Sequence, residues 1–196
     1  RGIGRALTER YLSEGATVFA AARAISTTHF AQAGGRLIAL AGDITREDIR
    51  AGIVEAIAER GAPLDLLIAA ADIQQAIDLT EIDAGSFAAR AEAEITLNLT
   101  VPLVLAQMLL PLMRQPGGSI VNLTSLISRQ PKPGAPVYSA SKADLASYTH
   151  PPQQQLATVA IDSVPTVPPQ DGPEPYARST LGKQLAAVEG QPVRPL

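Results

Sequence analysis

Two periods of hydrophobicity run through this chain. Short, largely apolar runs recur at residues 16–22 (ATVFAAA), 36–41 (RLIALA), 64–70 (LDLLIAA) and 119–123 (SIVNL), each the length of a buried strand. Between them the apolar positions fall at helical spacing. Ala6, Leu7, Tyr11 and Leu12 form a first stripe, which Gly15 closes. Ile49, Ile53 and Ile57 form a second, with Gly61 as its stop. Residues 84–115 read as one long helix, and residues 136–150 as another, entered through the PKPG turn at 131–134. A last strand is expected at 159–164. Strands alternating with helices predict an α/β, doubly wound parallel sheet.

The junctions add detail. Residues 1–15 read as a loop, Arg1-Gly2-Ile3-Gly4, entering the first helix. Glycines at a helix start let the backbone approach a phosphate, whose charge suits the helix N-terminus; a plain tight turn reads equally well. The Thr45-Arg46-Glu47-Asp48 stretch has the form of a capping box opening the second helix. Inside the long helix, Pro102 has no N–H for the carbonyl of Asn98 four residues back. A freed carbonyl seeks water, unless Asn98 is simply a satisfied core amide at a kink. Pro151 and Pro152 predict that the last helix kinks or stops near His150. Residues 1–164 thus read as one domain. Residues 165–196 read as a proline-rich, poorly ordered tail around one helical stretch at 180–188.

Composition narrows the function classes. Apolar residues make up 46% and charged residues 18% of the 196 positions, which suits one domain with a real core. A net charge of −3 gives no broad footprint for nucleic acid or anionic lipid. Without cysteine there are no disulfides, thiol nucleophiles or thiolate metal sites, and His29 and His150 are too far apart in sequence to suggest a metal. No signal peptide and no membrane-spanning apolar run is apparent, so the expectation is a soluble cytoplasmic protein with no nucleic-acid or membrane partner. The chain opens with Arg1 and reads as a fragment beginning inside a motif.

The candidate chemistry lies in SLISRQPKPGAPVYSASK, residues 125–142. Tyr138 and Lys142 stand four apart, on one face of a helix, and Ser125 follows an apolar run upstream. A phenol, an ammonium and a hydroxyl brought together can move a proton at a carbonyl or alcohol oxygen. Free tyrosine titrates near ~10 and is a poor base at neutral pH; a neighbouring cation lowers that value. The alternative is a helix bearing an amphipathic Tyr and a Lys that reaches for solvent.

Ser125, Tyr138 and Lys142 at these spacings resemble the Ser–Tyr–Lys site of the short-chain dehydrogenase/reductases, and the resemblance covers most of residues 1–166. RGIG resembles the end of that family's T-G-x-x-x-G-I-G loop, so that Arg1, Gly2, Ile3 and Gly4 would meet the cofactor; the loop's first glycine and the family's first, central strand are absent from this sequence. In dinucleotide folds the residue closing the second strand meets the adenosine ribose, an acid favouring NAD and a nearby arginine NADP. Here Ala22 and Arg23 stand there, which favours NADP over NAD. Asp43 and Ile44 in GDIT resemble the segment that contacts adenine; Asp43 alone would also serve as a turn carboxylate. The family's N-N-A-G reads Ala69-Ala70-Ala71-Asp72, which keeps only Ala71 and sets a carboxylate in the place of a glycine.

By the resemblance, Tyr138 is the acid/base, Lys142 lowers its pKa and binds ribose hydroxyls, Ser125 holds the substrate oxygen and Asn98 seats a relay water. That implies an NADP-dependent oxidoreductase acting on a small carbonyl or alcohol substrate, forming a homodimer or homotetramer through the two long helices. The fold it implies is a Rossmann-like sheet lacking its first strand and a recognisable C-terminal substrate region. The stretches LDLLIxxAxIQQAIDLTEID (with residues 69, 70 and 72 outside the match), EITLNLTVPLVLAQMLLPLM, YSASKADLASYT and IDSVPT are similar to the DltE-like subgroup of uncharacterised oxidoreductases. A second implication follows from the departures: a catalytically silent remnant that binds no cofactor and survives as a dimerising scaffold.

Overall fold

The computed structural model describes residues 2–30, 33–80, 82–156 and 162–166; Arg1 and everything beyond Thr166, including 180–188, lie outside the described residues. Helix α1 (Gly2–Ser13) is helical from Gly2 onward, where a loop was expected. It ends on Gly15 at φ +90°, with Gly15 N–H donating to Leu12 O and Ala16 N–H to Tyr11 O. That paired closure needs a left-handed residue, which glycine supplies without a Cβ penalty.

The expected strands form, each trimmed to its apolar middle: β1 (Val18–Ala22), β2 (Leu37–Ala41), β3 (Leu66–Ala69) and β4 (Ser119–Leu123). Helix α2 (Glu47–Glu59) starts one residue after Arg46 without any side-chain cap. The capping box does not form. The Thr45 hydroxyl donates instead to Asp43 Oδ1 at 2.8 Å, and Asp48 pairs with Arg46 at 2.7 Å. Both partners lie closer in sequence than the box requires and satisfy the side chains first.

All strand pairs are parallel, but they make two sheets: β1 beside β2, and β3-β4-β5 with β4 in the middle. Every residue of β4 is buried. The split lies between β1 and β3. Alternating side chains nonetheless tie the two sheets together. On one face α1 puts Leu12 on Val18, Ala20 and Leu37, and Leu7 on Leu66, Ile68, Val121 and Leu123. On the other face Ile53 and Ile57 of α2 meet Leu109, with Phe19 of β1, Leu40 of β2 and Leu67 of β3 packed around them.

The long helix is helical over Ala84–Leu112 but is not one regular α-helix. It runs as α3 (Ala84–Ile95), a π-turn at Thr96–Thr100, α4 (Val101–Leu109) and a closing 3-10 turn. Val101 N–H donates to Thr96 O, five residues back. The register slips just before Pro102, whose missing N–H interrupts the ordinary ladder. Contrary to the sequence expectation, this helix is long and apolar enough by length and composition to cross a membrane, with a mean hydropathy of 1.8 in its most apolar window. Here it lies against the sheets through Leu109, while Ile95 and Val104 stay exposed.

Helix α5 (Pro136–Leu156) does not stop near His150; it passes through Pro151 and Pro152. Proline's fixed φ is itself helical, and the two missing N–H groups release only the carbonyls of Ser147 and Tyr148. Strand β5 (Asp162–Thr166) sits a little later than expected and takes in Pro165. It pairs only with β4 among the described residues, and an edge strand tolerates a proline.

Leu109 is 1% exposed where both sheets and two helices meet. Leu109→Ala is expected to lower unfolding free energy in urea by ~2–5 kcal/mol. Leu79→Ala, at a side chain 63% exposed, is expected to change it by no more than ~0.5 kcal/mol.

Candidate active site

In an open parallel sheet ligands bind outside the carboxyl ends of the strands. That edge gathers most of the sequence candidates here. Arg23 follows β1, Asp43 and Ile44 follow β2, Ala71 and Asp72 follow β3, and Ser125 follows β4. The N-terminus of α1 reaches the same edge, since a Cβ on Gly4 would stand 3.6 Å from Ala70 Cβ. Gly2, at φ +62°, has open space around the place a Cβ would occupy, so its backbone is uncovered. Asp43 accepts the backbone N–H and hydroxyl of Thr45, and these bonds, with Arg23 and Arg46 nearby, hold its carboxyl below the usual range. It is at least the turn carboxylate that its sequence allowed.

The centre of the site is built by α5, whose first turns bury Tyr138 and Lys142 to 8% and 3% exposure. The ammonium lies 5.6 Å from the centroid of the Tyr138 ring and donates to Leu123 O at 2.8 Å. Ser125 has an extended backbone; its Oγ accepts from Ile127 N–H at 3.3 Å, and its hydroxyl stands near enough to the phenol to favour the phenolate. The three predicted side chains are therefore brought together.

A fourth group joins them. Tyr138 Oη donates to Asp72 Oδ2 at 2.9 Å, and Lys142 Nζ pairs with the same oxygen at 3.3 Å. The expected lowering of the Tyr138 pKa is reversed: burial pushes it well above the ordinary phenol value, and the charge and hydrogen bond of Asp72 push the same way. Burial also lowers the pKa of Lys142, against which Asp72 acts. A desolvated phenol beside an anion holds its proton. Lysine carries three N–H donors, so one remains after Leu123 and Asp72 are served.

Asn98 is fully buried at the π-turn, and protein groups engage its amide. Its Oδ1 accepts from Ile73 N–H at 2.9 Å; its Nδ2 donates to Ile73 O at 2.8 Å and Ser141 Oγ at 3.2 Å. Four and eight residues earlier on the same helix face stand Glu94 and Arg90. Glu94 Oε1 accepts from Gln75 N–H, and Arg90 Nη1 donates to Ala76 O at 3.0 Å. Three side chains at i, i+4 and i+8 thus grip the main chain of residues 73–76, which carries Asp72 at its head. Sequence reasoning named Asn98 alone. The spacing of Arg90, Glu94 and Asn98 was the available signal for the others.

A profile of the short chain dehydrogenase family matches residues 1–169, and the chain belongs to that family. It is 33% identical over 174 residues to the ketoacyl reductase HetN of a Nostoc species, covering 83% of this chain and 57% of that protein. It is 30% identical to the uncharacterised oxidoreductase DltE of Bacillus subtilis, covering 86% of this chain and 67% of that one. Among solved structures, a carbonyl reductase from Pseudomonas aeruginosa superposes with a TM-score of 0.79 at 30% identity, over 96% of this chain and 86% of that chain. The chain spans about half to two thirds of the length of the curated relatives it matches.

Glu94 supplies a pH test. It is fully buried, its Oε2 has no hydrogen-bond partner among the described residues, and burial raises its pKa. A raised carboxyl contributes stability that is complete below the unfolded value of ~4.3 and is lost as pH rises through the folded value. Glu94→Gln should therefore gain on the parent chain in denaturant stability between about pH 4 and pH 7. A difference that stays constant over that window would mean that Glu94 titrates as it does in the unfolded chain.

Proposed function

We propose that this chain forms the core of an NAD(P)-dependent oxidoreductase that moves a hydride between nicotinamide and a small carbonyl or alcohol substrate, with NADPH preferred. The observation that carries the reading is the meeting of Ser125, Tyr138 and Lys142 at the carboxyl edge of a parallel sheet. The names of the relatives, a ketoacyl reductase and a carbonyl reductase among them, support the reaction class.

The residues present fit the cofactor. The uncovered backbone at Gly2, together with Ile3 and Gly4, would take the diphosphate at the head of α1. Arg23 would take a 2′-phosphate, Asp43 and Ile44 would flank the adenine, Ala71 would line the nicotinamide side, and the free donor of Lys142 would meet the ribose. A bound nicotinamide supplies or accepts the hydride. Tyr138 gives its proton to the carbonyl oxygen while the Ser125 hydroxyl holds that oxygen in line. Lys142, beside the ring, offsets the negative charge left on the phenol. The exposed apolar side chains Ile95 and Val104 suit burial against a second copy, in a homodimer or homotetramer.

A second reading, a silent scaffold, is favoured by one observation: Asp72 already engages both Tyr138 and Lys142. NADPH and NADH titrations by nicotinamide fluorescence separate the two. The enzyme reading expects micromolar NADPH binding, weaker NADH binding, and turnover of a carbonyl substrate that falls ~10²–10⁴-fold in Tyr138→Phe while NADPH binding is kept. Failure to bind either cofactor leaves the scaffold.

A further inference from the structure

Asp72 stands at the centre of the site without a part in the chemistry just described. We propose that its carboxylate is a built-in latch: it occupies the single O–H of Tyr138 and the charge of Lys142, and it turns out to water when a substrate oxygen takes its place. The proposal rests on the reading of Tyr138 and Lys142 as the reacting pair, and it adds a regulation of that same site.

The geometry has three parts. First, Asp72 Oδ2 receives both Tyr138 Oη, at 2.9 Å, and Lys142 Nζ, at 3.3 Å. A phenol has one proton to donate, so an oxygen of substrate and the oxygen of Asp72 exclude each other at Tyr138. Second, burial is uneven. The Lys142 side chain is 4% exposed and that of Asp72 is 42% exposed. Of the partners, Asp72 is the one with water beside it to take up its charge as it leaves, while Lys142 keeps its bond to the Leu123 carbonyl. Third, the main chain immediately after Asp72 is fixed by the two Asn98 bonds to Ile73. The moving part is therefore a side-chain rotamer and not a loop.

A competing role is that of proton relay, with Asp72 carrying the Tyr138 proton to solvent. The acidities oppose it. A free phenol is a far weaker acid than a free carboxylic acid, ~10 against ~3.9. Burial and Asp72 itself then push Tyr138 further up. The proton stays on the phenol, and Asp72 acts as its acceptor. Other groups bear on the phenol: Glu94 from α3 adds negative charge, the Ser125 hydroxyl favours the phenolate, and the Lys142 ammonium faces the ring. Once Asp72 has turned away, the phenol loses the acceptor and the negative charge that help to hold its proton. Release thus frees the O–H and eases its proton loss.

The test is the titration of Tyr138 in the full chain by tyrosine Cζ resonances under 13C labelling. Tyr138→Phe assigns the signal, and far-UV circular dichroism at each pH marks the folded range. Asp72→Asn keeps the shape and removes the charge; Asp72→Ala removes both. The expected result is that Tyr138 loses its proton at least about one pH unit lower in both variants than in the parent, a tenfold or greater gain in acidity. A Tyr138 signal that titrates at the same pH in every folded protein, or stays protonated in all of them, overturns the latch. If one variant fails to fold, the other decides on the same criterion. The readout uses neither cofactor nor turnover. A chain that binds no NADPH can still show that Asp72 holds the Tyr138 proton, and an active enzyme can fail to show it.

Discussion

The architecture depends on apolar side chains that reach across a break in the sheet. Parallel ladders hold β1 to β2 and β3 to β4 to β5, and among the described residues no ladder joins the two groups. What joins them is burial. Leu7 and Leu12 lie on one face, and Ile53, Ile57 and Leu109 lie on the other. Each fully buried aliphatic side chain contributes about 1.5–3 kcal/mol, more than a typical backbone hydrogen bond yields net. Because successive strand residues point to opposite faces, both faces contribute at once. Packing on both faces holds the two sheets together, and parallel strands then put Arg23, Asp43, Asp72 and Ser125 along one edge although the strands belong to two sheets.

The site shows how far one carboxylate can redirect a set of familiar side chains. A phenol, a hydroxyl and an ammonium in contact would ordinarily make the phenol more acidic. Here both desolvation and Asp72 oppose that, and they outweigh the contribution of Ser125. Lys142 is equally constrained, held between the Leu123 carbonyl and Asp72 and nearly removed from water. The consequence follows from burial, since the same pair of charges at an exposed position would be screened and would perturb little.

Much of this was legible in the sequence because periodicity and close pairing leave strong marks. The four strand cores, the stop at Gly15, an interruption of the helical ladder at Pro102, and the meeting of Tyr138 with Lys142 follow from spacing alone; that the interruption takes the form of a π-turn does not. Asp72 was visible only as a departure from a motif. Its target lies 66 residues away in the sequence, and local pattern carries no information about such a contact. The capping box failed for the opposite reason: Asp43 and Arg46, closer still, competed for the same side chains. Of the kink or stop expected at Pro151 and Pro152, the stop does not occur; that expectation weighs a proline by the bonds it removes and not by the helical φ it already has.

Arg90, Glu94 and Asn98 take hold of residues 73–76 by carbonyls and amides that every residue except proline possesses in full. The grip is largely blind to what the gripped residues are. Side chains on that segment can drift over evolutionary time, or be rewritten deliberately, while its path beside the site persists; the three gripping residues have no such freedom. The path of this strip is thus set by a helix face and not by the strip's own side chains.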